Sequence, residues 1–172
     1  MEIQIIPGNR KTLSIQVIGH QVLLRCPKGM PREEALRFLE KHRQWVEKRL
    51  LPPQPPLTEA ERNALKALAA QRIPERVRHF APLVGVEYGR ISLRFQHSRW
   101  GSCSSLGNLN FNCLLLLAPE PVLDYVIVHE LCHRLEPNHS KAFWAQVARI
   151  IPDYAQQRKW LRQNGNLLVG RL

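Results

Sequence analysis

His129-Glu130-Leu131-Cys132-His133 constrains this chain more than any other feature. Residues four apart stand on the same face of an α-helix. A helix through this segment brings both imidazoles to one face, where they can hold a single zinc ion. Glu130 can then reach a water on that ion. Short matches of this kind also arise by chance on solvated helices, but the surroundings here argue against chance. The motif lies in an apolar stretch, and a helix break follows at a useful position.

A catalytic zinc site usually takes three protein ligands and keeps one position open. His139 follows His133 by six residues. In one unbroken helix that separation sweeps about 600°, which turns His139 away from the site. Pro137-Asn138 supplies a break, and Asn138 can cap the helix that follows. Glu136 and Asp153 are the competing third ligands. Glu136 lies on a different flank, and Asp153 is the only acid downstream of it. His139 is the preferred third ligand. Cys132 points toward the core, as a buried thiol.

Twenty-five Lys and Arg against 14 Asp and Glu give the chain a formal charge of +11. That balance favours anionic partners such as nucleic acid, nucleotides or acidic protein surfaces. The basic residues are scattered, however, with no zinc-finger spacing and no RNP-like aromatic motif. An apolar content of 44% over 172 residues argues for a folded core. No run approaches the ~18 apolar residues of a membrane span. Met1-Glu2-Ile3-Gln4 lacks the features of a secretory signal, so a cytoplasmic location and free thiols are expected. Cys26, Cys103, Cys113 and Cys132 form no CxxC pair.

Residues 3–6, 12–18 and 22–24 read as short strands, with Gly19-His20 before the third, and Arg32–Leu50 as a helix. Four prolines within residues 52–56 forbid helix and central strand. The expected organisation is a strand-helix unit at 1–50, a linker at 51–57 and a core at 58–172. Thr58 and Glu61 have the spacing of a capping box. That helix is expected through Leu68, resuming after Pro74 and ending near Phe80. Strands are expected within 86–95 and at 109–117. The polar stretch 97–105 reads as a loop. Helices are expected at 120–135, 140–150 and, more briefly, 154–162. Asn108, Asn110 and Asn112 alternate along a strand and would share a polar face.

Ser98-Arg99-Trp100-Gly101-Ser102-Cys103-Ser104, Tyr125–His133 and Asn138-His139-Ser140-Lys141-Ala142-Phe143-Trp144 resemble segments of the YgjP-like metal-dependent hydrolases, a branch of the zincin-like metallopeptidases of the DUF45 type. Arg10–Ile15 and Gln44–Lys48 resemble the family's N-terminal parts. The resemblance implies an α+β fold: a zincin-like core with a small N-terminal β-sheet and helix. It implies His129, His133 and His139 as ligands of one catalytic Zn²⁺, with Glu130 as general base. The turn before His139 departs from the metzincin pattern, because Glu136-Pro137 stands where those proteins turn on glycine. Zincins commonly bind extended peptides along an edge strand, and Leu109–Leu114 is the candidate by resemblance.

Arg99 could hold a substrate carboxylate or phosphate, or serve only to order its loop. Asn110 is the candidate substrate-binding residue on the strand. Trp100 is expected to anchor the loop, and His97 could reach a reaction intermediate or stand in solvent. Phe143 and Trp144 are expected to pack the last ligand's helix against the metal helix. Three functions remain open. The first is a zinc metallopeptidase in which Glu130 activates the water that cleaves a peptide bond. The second is a metal-dependent hydrolase of nucleotide phosphoanhydrides, a nucleoside triphosphate pyrophosphatase. The third is a nucleic-acid-binding protein with a structural metal, which would need Cys103 or Cys113 as a fourth ligand.

Overall fold

The computed structural model describes residues 2–18, 21–47, 49–50 and 55–172. Gly19-His20 and residues 51–54, the larger part of the expected linker, lie outside them. Internal contacts divide the chain into two compact units, Met1–Pro56 and Leu57–Gly170. The fold is α+β.

In the first unit, β1 (Glu2–Gly8), β2 (Ser14–Ile18) and β3 (Gln21–Pro27) form a sheet of order β1-β3-β2. β3 runs parallel to β1 and antiparallel to β2. As the central strand it buries alternate residues, Val22, Leu24 and Cys26. This is the period-two pattern of a sheet covered on one face. Ala35, Leu39 and Val46 complete that small core. The single helix expected at 32–50 is two helices, α1 (Arg32–Lys41) and α2 (Arg43–Glu47). His42 ends α1: its amide bonds to Leu39, and its ring reaches the Phe38 carbonyl at 2.8 Å.

The second unit opens with α3 (Glu59–Val84), a helix of 26 residues. Thr58 and Glu61 form the expected capping box, each side chain bonded to the other residue's amide. The expected interruption before Pro74 does not occur, and the helix runs through both Pro74 and Pro82. Ile73 and Val77 are fully buried around Pro74, so packing outweighs the lost backbone bond. Gly85 closes α3 at φ +84°, a left-handed conformation that glycine adopts at least cost.

β4 (Ile91–Arg94), β5 (Gly101–Cys103) and β6 (Leu109–Asn112) form a second sheet, ordered β4-β6-β5. β6 is parallel to β4 and antiparallel to β5. Leu109 and Phe111 point into the core, and Ile91 and Leu93 pack against the same cluster. The strand expected to run on to Leu117 stops at Asn112 and becomes a 3-10 turn, Cys113–Leu117. Asn112 makes the change by accepting from the Leu114 amide at 3.1 Å.

Three helices follow: α4 (Glu120–Cys132), α5 (Lys141–Ile150) and α6 (Tyr154–Val169). α6 is longer than expected, and its Gly165 gives room to the Trp100 ring. Arg76 of α3 and Asp124 of α4 form a two-pronged ion pair at 2.7 and 2.6 Å. That fastens α4 to α3 on the side away from its polar flank. Among the described residues, no helix is long and apolar enough to cross a membrane.

Candidate metal centre

α4 is buried on nearly every side. Val122, Leu123, Tyr125, Val126, Ile127, Val128, Leu131 and Cys132 all lie in the core. Such a helix is held by tertiary packing, which leaves His129, Glu130 and His133 one polar flank. Leu135 is exposed, because α4 ends at Cys132 and His133 is its C-cap. The turn beyond it closes with the Leu135 and Glu136 amides on the Cys132 carbonyl. Pro137 and Asn138 then carry the chain to His139, so the break is where the spacing requires it. The cap of α5 is Ser140 rather than Asn138: its hydroxyl accepts from the Phe143 amide at 3.2 Å.

His129, His133 and His139 present one ring nitrogen each within 4.8 Å of one another, a group able to hold a metal ion. The Nε2 atoms of His129 and His139 are 3.0 Å apart. Phe143 lies beneath all three, with ring centroids 4.9, 4.6 and 4.8 Å from those of His129, His133 and His139. Trp144 stacks on His139, and Tyr154 stacks on Trp144. These contacts confine the rings while leaving their nitrogens turned inward. Burial, then the neighbouring imidazoles, push His129 down to about 3. His139 is also lowered, by burial and then by the charges of His133 and Arg158. Neutral imidazole is the form that binds metal. Three imidazole donors, with no fourth in the group among the described residues, suit Zn²⁺ with an open position.

The other candidates fall outside this group. Glu136 contributes its backbone carbonyl, which lies 3.1 Å from His133 Nδ1 and fixes that ring. Asp153 accepts from Gln157 at 2.9 Å at the start of α6. Cys113 is buried in the core, and all four cysteines are free. Cys103 borders the cleft, and its thiol is held up by burial and by Glu130. His129 Nδ1 is buried without a hydrogen-bond partner.

Glu130 is only 5% exposed, and its carboxyl forms part of the wall of a cleft of ≈ 530 Å³ with the three histidines. Burial raises that carboxyl to about 8, against a smaller downward pull from the Arg99 charge. The opposite wall is β5. Within the stretch 97–105 read as a loop, Gly101–Cys103 forms an edge strand, and Gly101 faces Glu130. A β-carbon on Gly101 would stand 2.7 Å from the Glu130 side chain.

Arg99 and Asn110 line a second cleft of ≈ 490 Å³. Ser102, Cys103 and Ser104 border both clefts. Leu109–Leu114, the candidate peptide-binding edge, is corrected: β6 is the middle strand, its backbone already paired on both sides. The free edge beside the metal cluster is β5. The three asparagines also divide. Asn108 and Asn110 border the second cleft, but Asn112 is fully buried and donates to the Gln96 and Arg99 carbonyls. His97 is exposed and borders neither cleft.

Gly101 and Tyr125 are the contributors that spacing alone did not single out. Tyr125 precedes His129 by one helical turn and meets it edge-on at 5.8 Å, a contact that the four-residue separation could have suggested. For Gly101 there was no local signal beyond its lack of a side chain.

Residues 51–164 match the model for the YgjP-like, metallopeptidase domain. A 50-residue stretch is 44% identical to the UTP pyrophosphatase of Escherichia coli (strain K12). That stretch is 27% of this chain and 30% of the relative, so the match spans less than a third of the relative's length. Among solved structures, the metallopeptidase zymogen of Pyrococcus abyssi abylysin aligns with a TM-score of 0.48 at 19% identity, over 52% of this chain and 93% of that one. The metallopeptidase zymogen of Methanocaldococcus jannaschii jannalysin aligns at 0.45 and 19%, over 52% and 95%. The family match covers well over half of the sequence: this chain belongs to the YgjP-like, metallopeptidase-domain family.

Proposed function

We propose that the chain is a zinc-dependent hydrolase in which His129, His133 and His139 hold the ion and Glu130 moves the proton of the attacking water. The observation that carries this reading is the enclosure of one carboxyl and three inward-facing imidazoles in a single cleft. When bound there, zinc would lower the pKa of water and polarise the oxygen of the scissile group. Glu130 has no salt-bridge partner among the described residues and borders the cleft itself. Burial and Arg99 pull its carboxyl in opposite directions. A group poised near neutral pH can both take and return a proton.

The bond proposed is the α,β-phosphoanhydride of a nucleoside triphosphate. The stretch shared with a UTP pyrophosphatase supports this, as does Arg99, a cation whose charge is felt at Glu130. Phosphoryl transfer depends chiefly on positioning and on cations that neutralise phosphate oxygens. Water oxygen bonds to the α-phosphorus. The bond from that phosphorus to the bridging oxygen breaks, and its electron pair leaves with pyrophosphate. One water proton passes to Glu130 and then to the departing oxygen, while the other stays on the nucleoside monophosphate.

Peptide-bond hydrolysis is the second reading. The metallopeptidase-domain match favours it, and so does β5, an edge strand beside Glu130 to which an extended peptide could pair. The zinc-loaded chain should be assayed against UTP, the other nucleoside triphosphates, and unstructured acidic and basic polypeptides. The proposal expects release of pyrophosphate and monophosphate. Peptide cleavage without pyrophosphate release would replace it with the second reading, and no turnover of either class would overturn both.

A further inference from the structure

The outward face of the second sheet is polar across all three strands. Ser92 and Ser102 are both in register with Asn110 on the central strand. The opposite face carries Leu109 and Phe111 into the core. Arg90 precedes β4, Arg94 ends it, and Arg99 lies in the segment leading to β5. All three border the cleft over this face, and no Asp or Glu does. Among the described residues, none of the three guanidinium groups has an ion-pair or side-chain hydrogen-bond partner. Three unneutralised arginines around one concavity are not needed to hold the sheet, whose strands are joined by their own backbone bonds. They create a positive field focused on the cleft.

The cleft adjoins the metal cleft. Ser102, Cys103 and Ser104 of β5 and its following turn are shared, so β5 borders both. Neighbouring strands are spaced ~4.8 Å apart, so β4, with Arg94 on it and Arg90 before it, stands two spacings from β5, a gap that a phosphate chain and the long arginine side chains span together. A phosphate chain with its reacting phosphorus beside Glu130 could therefore continue over β5 to the arginines. Guanidinium forks match phosphate oxygens in pairs, and charge-assisted bonds of this kind are the strong ones.

We infer that the Arg90–Arg94–Arg99 cleft is a polyphosphate subsite that grips the departing pyrophosphate of the substrate. This rests on the phosphoanhydride reading for the reaction, but the cleft's affinity for polyphosphate can be measured without it. Arg90 and Arg94 set the grip, and Arg99 lines the same cleft while its charge is felt at Glu130. Ser92, Asn110 and Ser102 provide the small polar floor that lets the chain lie close to the sheet.

The test uses the full zinc-loaded chain and the double variant Arg90→Ala/Arg94→Ala, with Arg90→Lys/Arg94→Lys as the charge-keeping control. KM for UTP and the inhibition constant of inorganic pyrophosphate are measured together. The expected result is a rise of about tenfold or more in both for the alanine variant, with kcat changed much less and partial recovery in the lysine variant. An alanine variant with unchanged KM and unchanged pyrophosphate inhibition overturns the subsite while leaving the phosphoanhydride reading in place. If the wild type turns over no nucleotide, that reading fails, and calorimetry with inorganic tripolyphosphate decides the subsite alone. Binding lost in the alanine variant supports it, and no binding by the wild type overturns it.

Discussion

Gly101 and Glu130 fit together so closely that a methyl group on the glycine would lie 2.8 Å from Glu130 Oε1. The edge strand thus closes one side of the space in which the carboxyl sits, and only a residue without a side chain permits the approach. Gly101→Ala should displace the carboxyl or the strand. Because small misplacements in an active site lower rates steeply, kcat is expected to fall by about 100-fold. The atoms nearest a Gly101 β-carbon all belong to Glu130 and none to a histidine, so zinc content should remain at one ion per chain. Steady-state kinetics alongside metal analysis checks both. Near-normal kcat would show that Glu130 needs no fixed position.

The metal group makes a separate prediction. His139 is exposed and reaches the cluster from the turn before α5, whereas His133 is oriented by the Glu136 carbonyl. His139→Ala should weaken zinc binding by at least about 100-fold, measured by competition with a chromophoric chelator. Its melting temperature without metal should stay close to wild type, since the substituted side chain is exposed. Retained affinity would mean that another residue supplies the third donor.

Burial of Glu130 also has a consequence for stability in the metal-free protein. Its carboxyl titrates at about 8 in the folded chain against an ordinary 4.5. The folded state holds a proton that the unfolded state has lost, so this contribution is complete below 4.5 and disappears as pH rises through 8. His129 acts in the other direction. Lowered to about 3, it contributes fully above 6.5 and loses that contribution as pH falls. The two slopes oppose one another between 4.5 and 6.5, which leaves Glu130 dominant above that window. From pH 6.5 to 8, metal-free wild type should lose about 2 kcal/mol relative to Glu130→Gln. Urea unfolding at those two pH values measures it, and parallel behaviour of the two proteins would contradict the assignment.

The metal helix and the histidine cluster were the most legible parts of the sequence. His129 and His133 had helical spacing, and Pro137 marked the break that His139 needed. The capping box at Thr58 and Glu61 was also local, and the structure contains it. What spacing missed was decided by tertiary context. α3 continues through Pro74 because its apolar face is buried on both sides of the proline. β5 escaped notice because a three-residue edge strand of Gly, Ser and Cys needs no hydrophobic alternation. β6 was recognisable as a strand, but its central place in the sheet depends on β4 and β5 pairing to either side. The basic cleft was not visible as a run, since Arg90, Arg94 and Arg99 meet only after the sheet forms.

The central claim is that Glu130 moves the proton while the histidines alone hold the ion. Glu130→Gln keeps the size and burial of the side chain and removes its ability to accept a proton. Zinc content and kcat, measured on the same preparation with the substrate that wild type turns over, test the claim directly. One zinc per chain and a kcat lowered by roughly 100- to 10,000-fold are expected. Full zinc occupancy with wild-type kcat would contradict it.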